Sequence, residues 1–161
     1  INHGSNASVN IIYSGTMSAA MEASLEDIPS IGFSLLDFSF DANFEGAKIY
    51  AAKIIQSTLK SPMQNCKLLN VNIPNCPTAE IKGIKVCRQA DGIWEEDFQE
   101  GTDPRGEKYY WLTGQFISKE DPTKDDHDIW ALDNNYVSVV PSGHDLTHYS
   151  DMQSFKHLEN L

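Results

Sequence analysis

The order of the periodic segments constrains this chain most. From Thr16 to Asp27, Met17, Ala20, Met21 and Leu25 recur at helical spacing, and Ala19 and Ala23 allow a neighbour to approach closely. Ser14 or Thr16 can cap this helix, and Ile28-Pro29 ends it. The run SIGFSLL, 30 to 36, then has the short apolar character of a buried strand. A second helix is predicted from about Phe44 to Leu59, capped by Asp41 or Asn43, with Ala47, Ala51, Ile54, Ile55 and Leu59 as its apolar stripe. KLLNVNIPN, 67 to 75, follows as another strand. Helix, strand, helix, strand is the pattern of an α/β layer on a parallel sheet.

Beyond about residue 80 the texture changes. EIKGIKVCRQA and EKYYWLTGQFI are rich in β-formers, and Asp103-Pro104-Arg105-Gly106 between them fits a type I turn. The acidic stretch Asp91 to Asp103 carries Trp94 and Phe98, which suggests an exposed arm whose apolar residues need a partner surface. DNNYVSVVP, 133 to 141, is a further strand, with Asn135 suited to a left-handed backbone position. The end of the chain is expected to form a short helix with Met152, Phe155 and Leu158 inward. Residues 1–80 are thus read as part of an α/β core. Residues 81–161 are read as a β-rich arm, a returning strand and a C-terminal helix of the same structural domain.

A formal charge of −11 argues against a general nucleic-acid binder, although one local pocket can still oppose the global field for a small anion. Cys66, Cys76 and Cys87 are odd in number and form no CxxC pair, so free thiols in a reducing compartment are expected. No apolar run approaches the length of a membrane span and no signal peptide is visible, which leads to a cytoplasmic expectation. In that setting the sequon Asn6-Ala7-Ser8 carries no weight.

The strongest chemical candidate is the opening stretch, INHGSNASVNIIYSGT. Ser14-Gly15-Thr16 sits just before a helix, whose first N–H groups lack intrahelical partners and carry partial positive charge. Gly15 lets an anion approach the backbone and two hydroxyls add donors, so a phosphate could be held without lysine. An ordinary helix cap accounts for the same residues. Asn2, Asn6 and Asn10 offer neutral oxygen ligands for a hard cation, or simply turn chemistry. Asparagine alone does not hold Mg²⁺. His3 is expected in the loop. His144-Asp145 lacks a nucleophile elbow and is expected on a surface loop. Lys124 to Asp128 could grip a metal, but its charge pattern fits a solvated loop better.

In order, the blocks INHGSN, YSGTMSAAME, IPSIGFSL, FEGAKIYAAKII, LLNVNIPN, EIKGIKVCRQ, DPRGEKYYWLTG and NNYVSVVPSGHDLT resemble the SurE family of metal-dependent nucleotide phosphatases. The resemblance covers almost the whole chain. It implies a Rossmann-like three-layer α/β core with a β-hairpin arm and a C-terminal helix that exchange between subunits as a homodimer or tetramer. It implies hydrolysis of nucleoside 5′- and 3′-monophosphates and sometimes short polyphosphate, with no role for a nucleic-acid duplex or a membrane. It also implies one divalent metal ion, Mg²⁺ or Mn²⁺, held by two adjacent Asp, a Ser and an Asn. Asn2 matches that Asn. Asn6 and the Ser14-Gly15-Thr16 turn match the family's substrate-side loop and helix start. The family chain is longer at its N-terminus, so the Asp pair and the Ser are expected upstream of Ile1. The departures are Cys87, where a hydroxyl residue is common, and Asn134-Asn135, where a Gly often precedes the Tyr. A catalytically incomplete nucleotide-binding or oligomerisation module is the alternative reading.

Overall fold

Alternate residues of the strands point to opposite faces of a sheet, so the two faces can be built from different chemistry. The computed structural model describes residues 1–161. Its main sheet has five strands: β1 (Asn2–His3), β2 (Ser30–Leu35), β3 (Leu68–Ile73), β4 (Gly83–Val86) and β7 (Tyr136–Ser142), in the order β1-β2-β3-β7-β4. The strands β5 (Gly92–Thr102) and β6 (Lys108–Ser118) form a separate antiparallel hairpin. Three α-helices accompany them: α1 (Gly15–Leu25), α2 (Glu45–Lys60) and α3 (Asp128–Asp133).

One face of the sheet carries the apolar core. Leu35 from β2, Val71 and Ile73 from β3, and Val137 and Val139 from β7 pack with Ala47, Tyr50 and Ile54 of α2. The opposite face meets α1 and α3. Gly32 of β2 lies under Met17 of α1, and Val140 of β7 packs with Ala131 of α3. Helices on both faces of a mostly parallel sheet make the expected three-layer α/β core. The parallel-sheet expectation needs one correction. β7 runs antiparallel to β3 and parallel to β4, so the sheet is mixed.

Local chemistry sets several element ends. Ser14 Oγ accepts from the Met17 N–H at 3.0 Å and caps α1. Asn43 Oδ1 accepts from the Glu45 N–H at 2.9 Å at the start of α2. Asn135 has a φ of 62°, the left-handed position expected of it, just before β7. The expected hairpin turn forms, with the Gly106 N–H donating to the Asp103 carbonyl at 3.0 Å. Asp103 Oδ1 also accepts from the Arg105 and Glu107 N–H groups.

Two packing expectations differ from the structure. In α2, Ala47, Ala51 and Ile54 are buried, but Ile55 and Leu59 are exposed and line an open groove with Ile31 and Phe33. The C-terminal segment, Tyr149–Asn160, is a 3-10 helix whose Met152, Phe155 and Leu158 are 55%, 60% and 52% exposed, not inward. With three residues per turn, that spacing places all three along one stripe, and nothing in the chain covers them. The three cysteines are free, as expected. No helix is long and apolar enough to cross a membrane.

Candidate functional site

The parallel strands β1 and β2 pair only through Asn2–Ser34 and His3–Leu35, and the chain then leaves the sheet. Gly4 makes that departure with a φ of 84°, its N–H donating to the carbonyls of Leu35 and Asp37. A side chain at this position would collide with the Phe38 ring. Residues 5–7 cross the sheet, and a 3-10 helix, Ser8–Tyr13, leads to Ser14 and α1.

A buried polar row receives this segment. Ser34, Asn72 and Ser138 are register partners across β2, β3 and β7, and all three are 0% exposed. Asn72 Oδ1 accepts the Asn6 N–H at 2.8 Å, and Asn70 Nδ2 donates to the Asn6 carbonyl at 2.8 Å. Asn72 Nδ2 donates to Asn70 Oδ1 at 2.9 Å, and Asn6 Nδ2 donates to Ser34 Oγ at 2.5 Å. An apolar row could not satisfy the backbone of Asn6 at 4% exposure, because buried peptide groups require partners. Asn70, Asn72 and Ser34 therefore stand where apolar residues are usual in such strands, whereas the Ser138 hydroxyl makes no hydrogen bond.

The segment borders a cavity of ≈ 1230 Å³. Asn2, Asn6, Ser14, Gly15 and Thr16 all line it, so the structure brings together these five residues of the opening stretch. His3 and Asn10 line it as well. The far wall comes from the hairpin, through Trp94, Glu96, Leu112, Thr113 and Phe116. Trp94 Nε1 donates to Asn10 Oδ1 at 2.7 Å and joins that wall to the site segment. No Lys or Arg occurs among the 20 lining residues, whereas Glu96 and Asp133 do. An anion here would rely on the first N–H groups of α1, on neutral polar side chains and on any bound cation.

The other candidates lie elsewhere. Asp145 is exposed and accepts from Thr147 N and from Tyr149 OH, as a surface loop would. The run Lys124 to Asp128 is only partly the solvated loop expected of it. Lys85 pairs with Asp125 at 2.6 Å, and Arg88 pairs with Asp126 and Glu120. His127 and Asp128, however, are buried, at 3% and 0% exposure. Desolvation pushes the Asp128 carboxyl up from its ordinary range, while N–H donors from Ser8, Ala90 and Ile129 pull it back. Sequence reasoning missed Asp128 because it is embedded in charges that do face water. The only signal was its place just ahead of the apolar run Ile129 to Leu132.

Asn2 contributes one hard oxygen donor. The chain holds no group of three His, Cys, Asp or Glu residues arranged for a metal, so residues 1–161 supply part of such a centre at most.

A family model for survival protein SurE matches residues 1–96. The chain is 56% identical over 147 residues to the 5′-nucleotidase SurE of Christiangramia forsetii, spanning 91% of this chain and 56% of that protein. It is 53% identical over 153 residues to the 5′-nucleotidase SurE of Flavobacterium johnsoniae, spanning 95% and 58%. The solved SurE protein of Aquifex aeolicus superposes with a TM-score of 0.80 at 40% identity, over 99% of this chain and 63% of that one. The chain therefore spans less than two thirds of the length of these relatives. The family model, the sequence identities and the fold agree, and the chain belongs to the SurE family.

Proposed function

We propose that the protein is a phosphomonoester hydrolase acting on nucleoside 5′- and 3′-monophosphates, with the cavity at the start of α1 as its phosphate site. One observation carries the reading: Asn2, Asn6, Ser14, Gly15 and Thr16 converge on a single cavity at a helix N-terminus. As the first residues of α1, Gly15 and Thr16 have no intrahelical acceptor for their N–H groups. Ser14 Oγ occupies the Met17 N–H and holds that turn in shape. Phosphate oxygens would take the Gly15 and Thr16 N–H groups and the Thr16 hydroxyl, with charge developing on the oxygens met by donors already in place. For Asn6 to donate as well, its amide turns by half a rotation. Ser34 Oγ–H then donates to Oδ1, and Nδ2 faces the cavity.

Asn2 would hold one position of a divalent cation, Mg²⁺ or Mn²⁺, whose remaining donors come from outside residues 1–161. A bound divalent cation neutralises phosphate charge and favours attack by water. An acidic cavity wall without Lys or Arg suits an anionic substrate only with such help. Residues 1–80 and 81–161 act in this reading as one structural domain. The three free thiols support a reducing, cytoplasmic setting.

The exposed apolar residues Phe98, Trp111 and Leu112 of the hairpin, and Met152, Phe155 and Leu158 of the C-terminal segment, support a homodimer or tetramer formed by exchange of these parts. Deleting residues 94–111 should then give monomers in sedimentation, and persistent dimers would contradict the exchange.

The activity test is phosphate release from AMP by the polypeptide as its gene encodes it, with Mg²⁺ or Mn²⁺ and then with a chelator. Metal-dependent release is expected. Release unchanged by the chelator refutes the metal, and no release in any condition supports a binding or oligomerisation module instead.

A further inference from the structure

Asp128 joins two segments that are far apart in sequence. Its Oδ2 accepts the Ser8 N–H at 2.8 Å, and its Oδ1 accepts the Ala90 and Ile129 N–H groups, each at 2.9 Å. A second tie lies beside it, because Ser8 Oγ donates to the Ala90 carbonyl at 2.9 Å. Ser8 is two residues beyond Asn6 in the site segment. Ala90 is two residues before β5, at the root of the hairpin. Asp128 is 0% exposed and has no Lys or Arg partner, so backbone N–H groups, with a smaller contribution from neighbouring His127, are what favour its charged form. A buried carboxylate without a cation is costly unless its oxygens are well supplied with hydrogen bonds, as they are here by three N–H groups. Ser8 also holds a φ of 53°, a left-handed conformation that a serine keeps only under external constraint.

We propose that Asp128 is a positioning residue: it fixes the site segment at Ser8 against the hairpin root at Ala90, so that the placement of the hairpin and the geometry of the phosphate site are coupled. This rests on the reading of the cavity as a phosphate site. On one side, Asn6 is gripped by Asn70, Asn72 and Ser34 from the sheet. On the other, Ser8 is gripped by Asp128. The hairpin contributes Trp94 and Phe116 to the far wall of the same cavity, so any tilt of its root moves both walls relative to each other.

The test compares wild type with Asp128→Asn in the polypeptide as encoded. An Asn at 128 can keep its oxygen on Ala90 and Ile129, but it turns an NH₂ toward the Ser8 N–H. Hydrogen exchange at the Ser8 and Ala90 amides, the affinity for inorganic phosphate, and kcat and KM for AMP are measured well below the unfolding temperature. Loss of protection at Ser8, with β3 amides still protected, should accompany at least a fivefold loss of phosphate affinity and a tenfold loss of kcat/KM. Lost protection at Ser8 with unchanged phosphate affinity and kcat/KM overturns the proposal, as does a variant whose Ser8 amide stays protected. A role in stability alone would lower Tm and leave phosphate affinity intact. Should Asp128→Asn fail to fold, Ser8→Gly decides. It removes the hydroxyl tie and relieves the left-handed backbone, so Tm should hold while phosphate affinity falls about threefold. Unchanged affinity there overturns the proposal. If wild type neither binds phosphate nor hydrolyses AMP, the phosphate reading is what fails. The coupling then stands or falls on whether Ser8 and Ala90 lose exchange protection together.

Discussion

The indole of Trp94 donates its N–H to Asn10 Oδ1 at 2.7 Å, a bond between the hairpin and the segment that leads into α1. Both residues line the cavity, so this single contact helps hold its two walls together. Asn10→Ala should cost at most about 1 kcal/mol in denaturant unfolding, as expected for a partly exposed hydrogen bond. The same change should raise the rate of proteolysis within the hairpin. Unaltered cleavage kinetics would show that the bond does not restrain it.

Removing Asn72 has a different scale. Its amide serves Asn6 N–H and Asn70 Oδ1, both buried. Asn72→Ala leaves those groups without partners and should destabilise the protein by about 2–3 kcal/mol in chemical denaturation. A loss below about 0.5 kcal/mol would mean that the row is not needed for stability.

At the start of α1, Ser14 and Thr16 separate stability from binding. Ser14 is the cap, so Ser14→Ala should cost about 1 kcal/mol of stability. Thr16 caps nothing, so Thr16→Val should leave stability within about 0.5 kcal/mol. That variant should still weaken inhibition by inorganic phosphate several-fold. Titration of both variants with phosphate, alongside thermal melts, checks the division.

The ion-pair cluster at the root of the hairpin sets a pH window. Hydrogen bonds from the Arg88 guanidinium, helped by the Asp91 N–H, hold the Glu120 carboxyl down to about 2. A depressed folded-state value contributes stability above the ordinary carboxylate range, and this is lost as pH falls through it. Wild-type Tm should therefore drop between about pH 4.5 and pH 2, and Glu120→Gln should flatten part of that drop. Arg88 is 43% exposed, so added salt should shrink the difference. Parallel pH profiles for the two proteins would exclude the pair as a contributor.

Asn2→Ala addresses the cation. The variant should raise the Mn²⁺ concentration needed for half-maximal phosphate release by about tenfold or more, as loss of a ligand does, with the melting temperature near wild type. Calorimetric titration with Mn²⁺ gives the same comparison without substrate. Identical Mn²⁺ affinity in both proteins removes Asn2 from the ligand set.

Periodic segments were legible because burial imposes their period directly. The stripe Ala47, Ala51 and Ile54 and the strands SIGFSL and LLNVNI lie where the sequence predicts them. Asn135 and the Asp103–Gly106 turn were legible because few residues tolerate their backbone geometry. The direction of β7 was not, because an apolar run such as YVSVV buries equally well in a parallel or an antiparallel ladder. Asn2, Asn6 and Ser14 to Thr16 could be picked out locally, yet their convergence depends on Gly4 and on a polar row that starts only at Ser34, in the next strand. Asp128 stayed hidden for a related reason: two of its three partners, Ser8 and Ala90, are nowhere near it in sequence. The inward stripe expected of the C-terminal segment failed because spacing shows that Met152, Phe155 and Leu158 share a face, not what covers that face.

The central place of β7 has a consequence for how the protein is made. β7 separates β3 from β4, although β4 follows β3 in the chain and β7 is the last strand. During synthesis the sheet therefore stays in two pieces until Ser142 has left the ribosome, with the whole hairpin already extruded and its aromatic residues bare. Closure then joins segments far apart in sequence, a slow kind of step. The interval before β7 inserts is the period in which a nascent chain is most exposed to pairing with the wrong neighbour.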